Sequence, residues 1–207
     1  MHGKDLNAHV RQSLAVLVES ADELRDLDQA LGDGDLGITI TAGSNAVIAE
    51  LESLPDDASP TEIARTCAKA FANANPSTMA ALVAGALLAG SRVWEGKEEI
   101  GLPDAAAFVS AAADSISTRG KTQVGDKTIL DGIAAAAAAL GSATDSQTAT
   151  QDVVQAAGRA VEETKGLQSR RGRASWLQER SIGLADPGAT AFQRLVEAWA
   201  RVSTPAQ

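Results

Sequence analysis

Six consecutive alanines occupy residues 134–139, between Ile133 and Leu140, and alanine is the residue that enters a helix at least cost. The same bias runs through the chain. Of 207 residues, 44% are hydrophobic but only 3% are aromatic, tyrosine is absent and much of the apolar content is alanine. Small side chains let helices pack closely, and a chain of this length can bury a substantial core. The expected fold is all-α.

Hydrophobic spacing divides the chain into eight helices. Leu6, Val10, Leu14, Leu17, Val18, Ala21 and Leu24 follow the three-and-four spacing of an amphipathic helix, which predicts one over residues 6–27. A second covers 38–54 and is stopped by Pro55. Ser59 and Pro60 supply an N-cap and a first-turn proline for a third, reaching residue 74. The fourth, 77–94, is apolar on several faces, as a buried helix should be. Residues 104–118, 127–140, 150–167 and 189–202 complete the set, with no convincing strand. Two longer interruptions fall at 119–126 and 168–188, and loops of about twenty residues in a compact domain are usually functional or disordered. The second carries Arg170, Arg171, Arg173, Arg180 and Trp176, the obvious anion-facing segment of an acidic protein.

The formal net charge of −9 argues against nucleic acid or an anionic membrane held by a broad basic field. Cys67 is the sole cysteine, so neither a disulfide framework nor a cysteine zinc site is expected, and a buried small hydrophobe is. The first ten residues lack the apolar core of a signal peptide, and no run approaches a membrane span. A cytoplasmic location is expected.

Chemistry concentrates in residues 28–43, DQALGDGDLGITITAG, where Asp28, Asp33 and Asp35 crowd against Gly32, Gly34 and Gly37. Carboxylates this close raise one another's pKa unless a cation sits among them. Mg²⁺ suits the pattern, since it takes a few carboxylates and leaves positions for nucleotide phosphates. Gly34 lets the loop turn, and Gly37, Ile38 and Thr39 open a helix whose free N–H groups can meet a phosphate. A solvated turn with capping carboxylates is the competing interpretation, whereas the EF-hand register is absent.

Other features carry less. Residues 120–128, GKTQVGDKT, miss a Walker loop by the intrusion of Asp126 and follow no strand. Gly125 to Thr128 are instead expected to cap the sixth helix, with a phosphate-facing Lys127 as the alternative. His2 and His9 have no metal-ligand spacing, Ser175 and Ser181 lack a nucleophile-elbow pattern, and Trp94, Trp176 and Trp199 are expected to be packing anchors.

Three motifs, LDQALGDGDLGITITAG, GDKTILDGI and GRASWLQERSIGLADPGA, together resemble the nucleotide-binding L subunit of the dihydroxyacetone kinase family, in order and at compatible spacing over residues 27–189. The resemblance implies that residues 1–207 form one domain, eight antiparallel helices in a closed barrel with the nucleotide at one end. It implies two Mg²⁺ ions held by Asp28, Asp33 and Asp35, and ADP or ATP contacted by Leu36, Gly37, Ile38, Thr39, Ser77, Thr78, Gly120, Ile129, Arg173, Asp186, Pro187 and Gly188. Arg173 would also be the catalytic group. Leu36 stands where well-known members carry histidine, and Pro76 and Met79 where the second loop is usually glycine-rich.

The implied activity is phosphoryl transfer to a small keto-sugar presented by a separate K-type subunit. The donor would be ATP or a phosphotransferase-system protein that recharges bound ADP. No nucleic-acid or membrane partner is implied, and a homodimer is left open. The alternative from another class is a non-catalytic nucleotide-binding regulatory module.

Overall fold

Local caps start several of the helices, and each can be traced to a short sequence pattern. In the structure, a computed structural model that describes residues 1–203, Ser59 Oγ accepts the N–H of Glu62 while the Glu62 carboxylate accepts the N–H of Ser59. This reciprocal pair and Pro60 fix the start of a helix over Pro60–Ala74. At Ile129–Ser142 the Asp131 carboxylate likewise accepts the Thr128 N–H, while Thr128 Oγ1 accepts the Leu130 N–H. In chain order the helices are α1 (Gly3–Val18), α2 (Ala21–Leu31), α3 (Leu36–Glu52), α4 (Pro60–Ala74), α5 (Thr78–Val93), α6 (Leu102–Gly120), α7 (Ile129–Ser142), α8 (Ser146–Lys165) and α9 (Pro187–Ser203), with a 3-10 segment at Arg173–Ser181. Among the described residues the β-type pairing is confined to one bridge between His2 and Glu99.

Eight of these helices close a ring. α1 packs on α3, each helix from α3 to α9 packs on the next, and α9 returns to α1, while α2 lies against α3 and α9. Helices joined by short connections run antiparallel, so alternate connections gather at one end of the ring. Residues 32–35, 75–77, 121–128 and 166–186 share that end. The N-terminus lies at the other, where the Met1 ammonium donates to the carbonyl of Ile100 at 2.8 Å.

Alanine and glycine shape the interior. Phe71 lies over Gly43 of α3 and Phe108 over Gly90 of α5, close enough that a Cβ on either glycine would enter the ring. The main cluster joins Leu6, Leu17, Leu24, Val47, Leu51 and Ile63, and a second joins Ile116, Leu130 and Ile133. Each such side chain, fully buried, contributes roughly 1.5–3 kcal/mol. Cys67 is buried, its thiol pushed up to about 12 by desolvation, and so unreactive.

Three expectations are corrected. The first predicted helix is two helices, because Glu19 and Ser20 donate to the carbonyls of Val16 and Leu17 in one tightened turn, with no glycine or proline to mark the break. Lys127 lies outside α7 with φ of 62°. Trp176 is 80% exposed and anchors no core, whereas Trp94 is buried and donates to the carbonyl of Asp104.

Candidate metal and nucleotide site

Asp28 lies in the last turn of α2, and the chain must then double back within four residues. Gly32 donates to the Asp28 carbonyl at 2.5 Å, and a Cβ there would sit 2.6 Å from Asp28 Oδ1. Gly34 has φ of 78°, a conformation that favours glycine, and a Cβ there would meet Gln29. These two positions allow the return that brings one carboxylate oxygen from each of Asp28, Asp33 and Asp35 within 4.8 Å of the others. An all-oxygen, hard donor set of this size fits Mg²⁺.

The carboxylates are not serving as helix caps in the ordinary way. Asp35 occupies the N-cap position of α3 yet makes no side-chain capping bond. The N–H of Leu36 instead reaches Asp28 Oδ2 at 3.2 Å. Burial raises the pKa of Asp28, the Leu36 N–H opposes that, and the charges of Asp33 and Asp35 raise it further. Arg173, from the 3-10 segment, supplies countercharge: its guanidinium pairs with Asp33 and lies 3.7 Å from Asp35.

The start of α3 forms the next wall. Leu36 turns its side chain into the main core, so only its backbone belongs to the site. Gly37 backs onto the Ala21 carbonyl, which lets α2 and α3 meet closely. Ile38 is exposed. Buried Thr39 accepts a hydrogen bond at 2.9 Å from Asn75 Nδ2, which ties the α4–α5 connection to this corner. Apart from its place before Pro76, nothing in the spacing of residues points to Asn75. Ser77 Oγ caps α5 by accepting the Ala80 N–H, leaving its own proton to donate, and Thr78 beside it is exposed.

On the far side, Gly120 ends α6 next to Leu82, and Ile129 at the start of α7 packs on Gly188. Asp186, Pro187 and Gly188 are all buried, in the turn that starts α9. Asp186 accepts the Ala189 N–H on its carboxylate at 2.7 Å and donates its own N–H to Thr164 Oγ1 at 3.0 Å. Burial pushes this carboxyl up to about 7; the Ala189 N–H opposes the shift, Asp131 adds to it and Lys127 opposes it. The folded pKa thus exceeds the unfolded one. The stability contributed by this carboxyl therefore falls as pH rises from about 4 to about 7 and is flat beyond. Asp186→Asn keeps an oxygen for the Ala189 N–H. It should remove a few kcal/mol of this pH dependence, read as a smaller loss of melting temperature between pH 5 and pH 8 than in the unaltered protein.

Lys127 does not face a phosphate. It is 1% exposed, and its ammonium donates to the carbonyls of Leu167 and Ser181. Ser181 is likewise structural, its hydroxyl accepting the Ser169 N–H and donating to Gln178.

Residues 30–201 match the family model described as the DAK2 domain. The chain is 36% identical over 172 residues to the ADP-binding subunit DhaL of PEP-dependent dihydroxyacetone kinase 1 of Listeria innocua, covering 83% of this chain and 82% of that protein. It is 33% identical over 189 residues to the L-erythrulose 1-kinase of Mycolicibacterium smegmatis, covering 88% of this chain but 33% of that enzyme. The dihydroxyacetone kinase of C. freundii, solved with AMP-PNP and Mg²⁺, superimposes with a TM-score of 0.76 at 20% identity, over 94% of this chain and 33% of that one. That likeness concerns the fold alone.

Proposed function

The chain belongs to the DAK2 domain family, and from that premise we propose that it is the nucleotide-binding, phosphoryl-transfer subunit of a kinase for a small keto-sugar. The observation that carries the reading is the Asp28, Asp33 and Asp35 cluster at the open end of the ring, with Arg173 laid across it. The three aspartates would hold Mg²⁺, which on binding supplies charge neutralisation between nucleotide phosphates. The N–H groups at the start of α3, at Gly37, Ile38 and Thr39, have no acceptor earlier in their own helix apart from the Thr39 bond to the Asp35 carbonyl. Those of Gly37 and Ile38 would meet phosphate oxygens, as would the hydroxyls of Ser77 and Thr78. Arg173 would stabilise the transferring group with a planar pair of donors. Gly120, Ile129 and the 186–188 turn would wall the rest of the nucleotide.

The relatives named L-erythrulose 1-kinase and triokinase/FMN cyclase are about three times as long as the matched stretch. The Listeria relative, named as a subunit and covered over 82% of its own length, supports a division of labour, in which a separate K-type subunit presents the keto-sugar and this chain supplies the nucleotide. The donor would be ATP, or a phosphoprotein that recharges ADP held here, as the name of the Listeria relative suggests for that protein. A cytoplasmic setting fits a Mg-nucleotide enzyme, and no helix of the described residues is long and apolar enough to cross a membrane.

The test has two parts. Calorimetry with ADP should give binding that depends on Mg²⁺. Mixing with a K-type subunit and dihydroxyacetone should then give turnover with ATP or with a phosphoprotein donor. Mg-dependent binding without turnover on any keto-sugar would favour a regulatory nucleotide module, and absence of binding would end the nucleotide assignment.

A further inference from the structure

Lys127 is buried, holds a backbone conformation that favours glycine, and takes no part in the chemistry described above. A lysine at φ of 62° with its stem desolvated calls for a reason that glycine or asparagine could not supply. Its ammonium donates to Leu167 O at 3.0 Å and to Ser181 O at 2.5 Å. Those carbonyls are the two feet of one excursion, in which the chain leaves α8, runs through the 3-10 segment and returns to start α9.

Neighbouring bonds gather at the same feet. Gly183 donates to Lys165 O at 2.7 Å, and Ser169 donates to Ser181 Oγ at 2.9 Å. Asp126, next to Lys127, accepts the Arg170 N–H on its carbonyl at 3.0 Å and Arg171 Nε on its carboxylate at 3.3 Å. The Asp126–Lys127 dipeptide thus grips both limbs of the excursion from the start of α7. Arg173 lies six residues beyond one foot and eight before the other, and the segment carries it across to Asp33 and Asp35. An arginine on the far part of a long loop is placed only as well as the feet of that loop are fixed.

Resting on the kinase reading of Arg173, we propose that Lys127 is a positioning residue: its ammonium staples the feet of the 168–182 excursion and thereby sets Arg173 over the carboxylate cluster. Lysine suits the task because a compact ammonium reaches two converging carbonyls that a planar guanidinium would not fit. Lys127 donates to neither the aspartate cluster nor Arg173, and beyond its charge near Asp186 it reaches the site through the segment that carries Arg173.

Lys127→Met keeps length and bulk but loses the donors. Trypsin should then cut after Arg170, Arg171, Arg173 or Arg180 about tenfold faster or more, while helicity and cleavage elsewhere hold. In the transfer assay kcat should fall roughly 10- to 100-fold, with Mg-ADP affinity changed by about twofold or less. Once Arg173 is alanine, adding Lys127→Met should cost nothing further. Losses that multiply, or an unchanged trypsin rate, would overturn the staple. If Arg173→Ala alone leaves transfer intact, the catalytic reading of Arg173 has failed, and the trypsin rate still decides whether Lys127 orders the segment. Should Lys127→Met not fold, Ser181→Ala, which removes the acceptor of the Ser169 N–H, should give the same pattern at smaller amplitude.

Discussion

Asp35→Asn should weaken Mg-dependent ADP binding on the order of 100-fold or more while leaving helicity and melting temperature nearly unchanged. Removing even an outer partner of a metal ligand costs about 10- to 100-fold in affinity, and a ligand costs at least as much. Stability should hold because Asp35, at the N-cap of α3, makes no side-chain capping bond that asparagine would lose. Its ion pair with Arg173 is half exposed and contributes little. An ordinary capping aspartate would show the reverse pattern on replacement by alanine, with about 1 kcal/mol of stability lost and ligand binding intact. Calorimetry with ADP, with and without Mg²⁺, beside a thermal melt, separates the two. Equal affinity in the variant would return the Asp-Gly-Asp stretch to the status of a solvated turn. Asp28→Asn is less clean, because Asp28 also holds the Leu36 N–H.

What could be read in the sequence follows from which forces are local. Ser59, Pro60 and Glu62 announce the start of α4 because a capping box closes within four residues. The aspartates could be recognised as a group because Gly32 and Gly34 force their return within the same loop. The break at Glu19 and Ser20 could not be read, since apolar spacing continues through it and the turn is set by α2 packing on α3 and α9. The partners of Lys127 could not be read for a related reason. A lysine beside glycine at a helix start resembles a phosphate ligand, and only the fold brings Leu167 and Ser181 over it. Asn75 and Thr39 meet across 36 residues, beyond the reach of any spacing rule. Trp176 looked like an anchor by composition, but it lies on a segment whose feet are buried and whose outer face is exposed.

Arg173→Ala should slow phosphoryl transfer by about 1,000-fold or more, the scale on which an arginine that stabilises a transferring phosphoryl group acts. The structure adds a second expectation that a purely catalytic arginine would not carry. The guanidinium pairs with Asp33 and approaches Asp35, so any Mg²⁺ at those carboxylates must share them with a fixed positive charge. Removing that charge should tighten Mg²⁺ binding measured without nucleotide, while kcat falls and the affinity for Mg-ADP changes little. Arg173→Lys should restore the weaker Mg²⁺ affinity, because it restores the charge, but recover only part of the rate, because an ammonium lacks the paired planar donors. Tighter Mg²⁺ binding with undiminished turnover would mean that Arg173 serves only as countercharge to the aspartates. Slower turnover with unchanged Mg²⁺ affinity would mean that the arginine leaves the carboxylates in solution and meets only the phosphate.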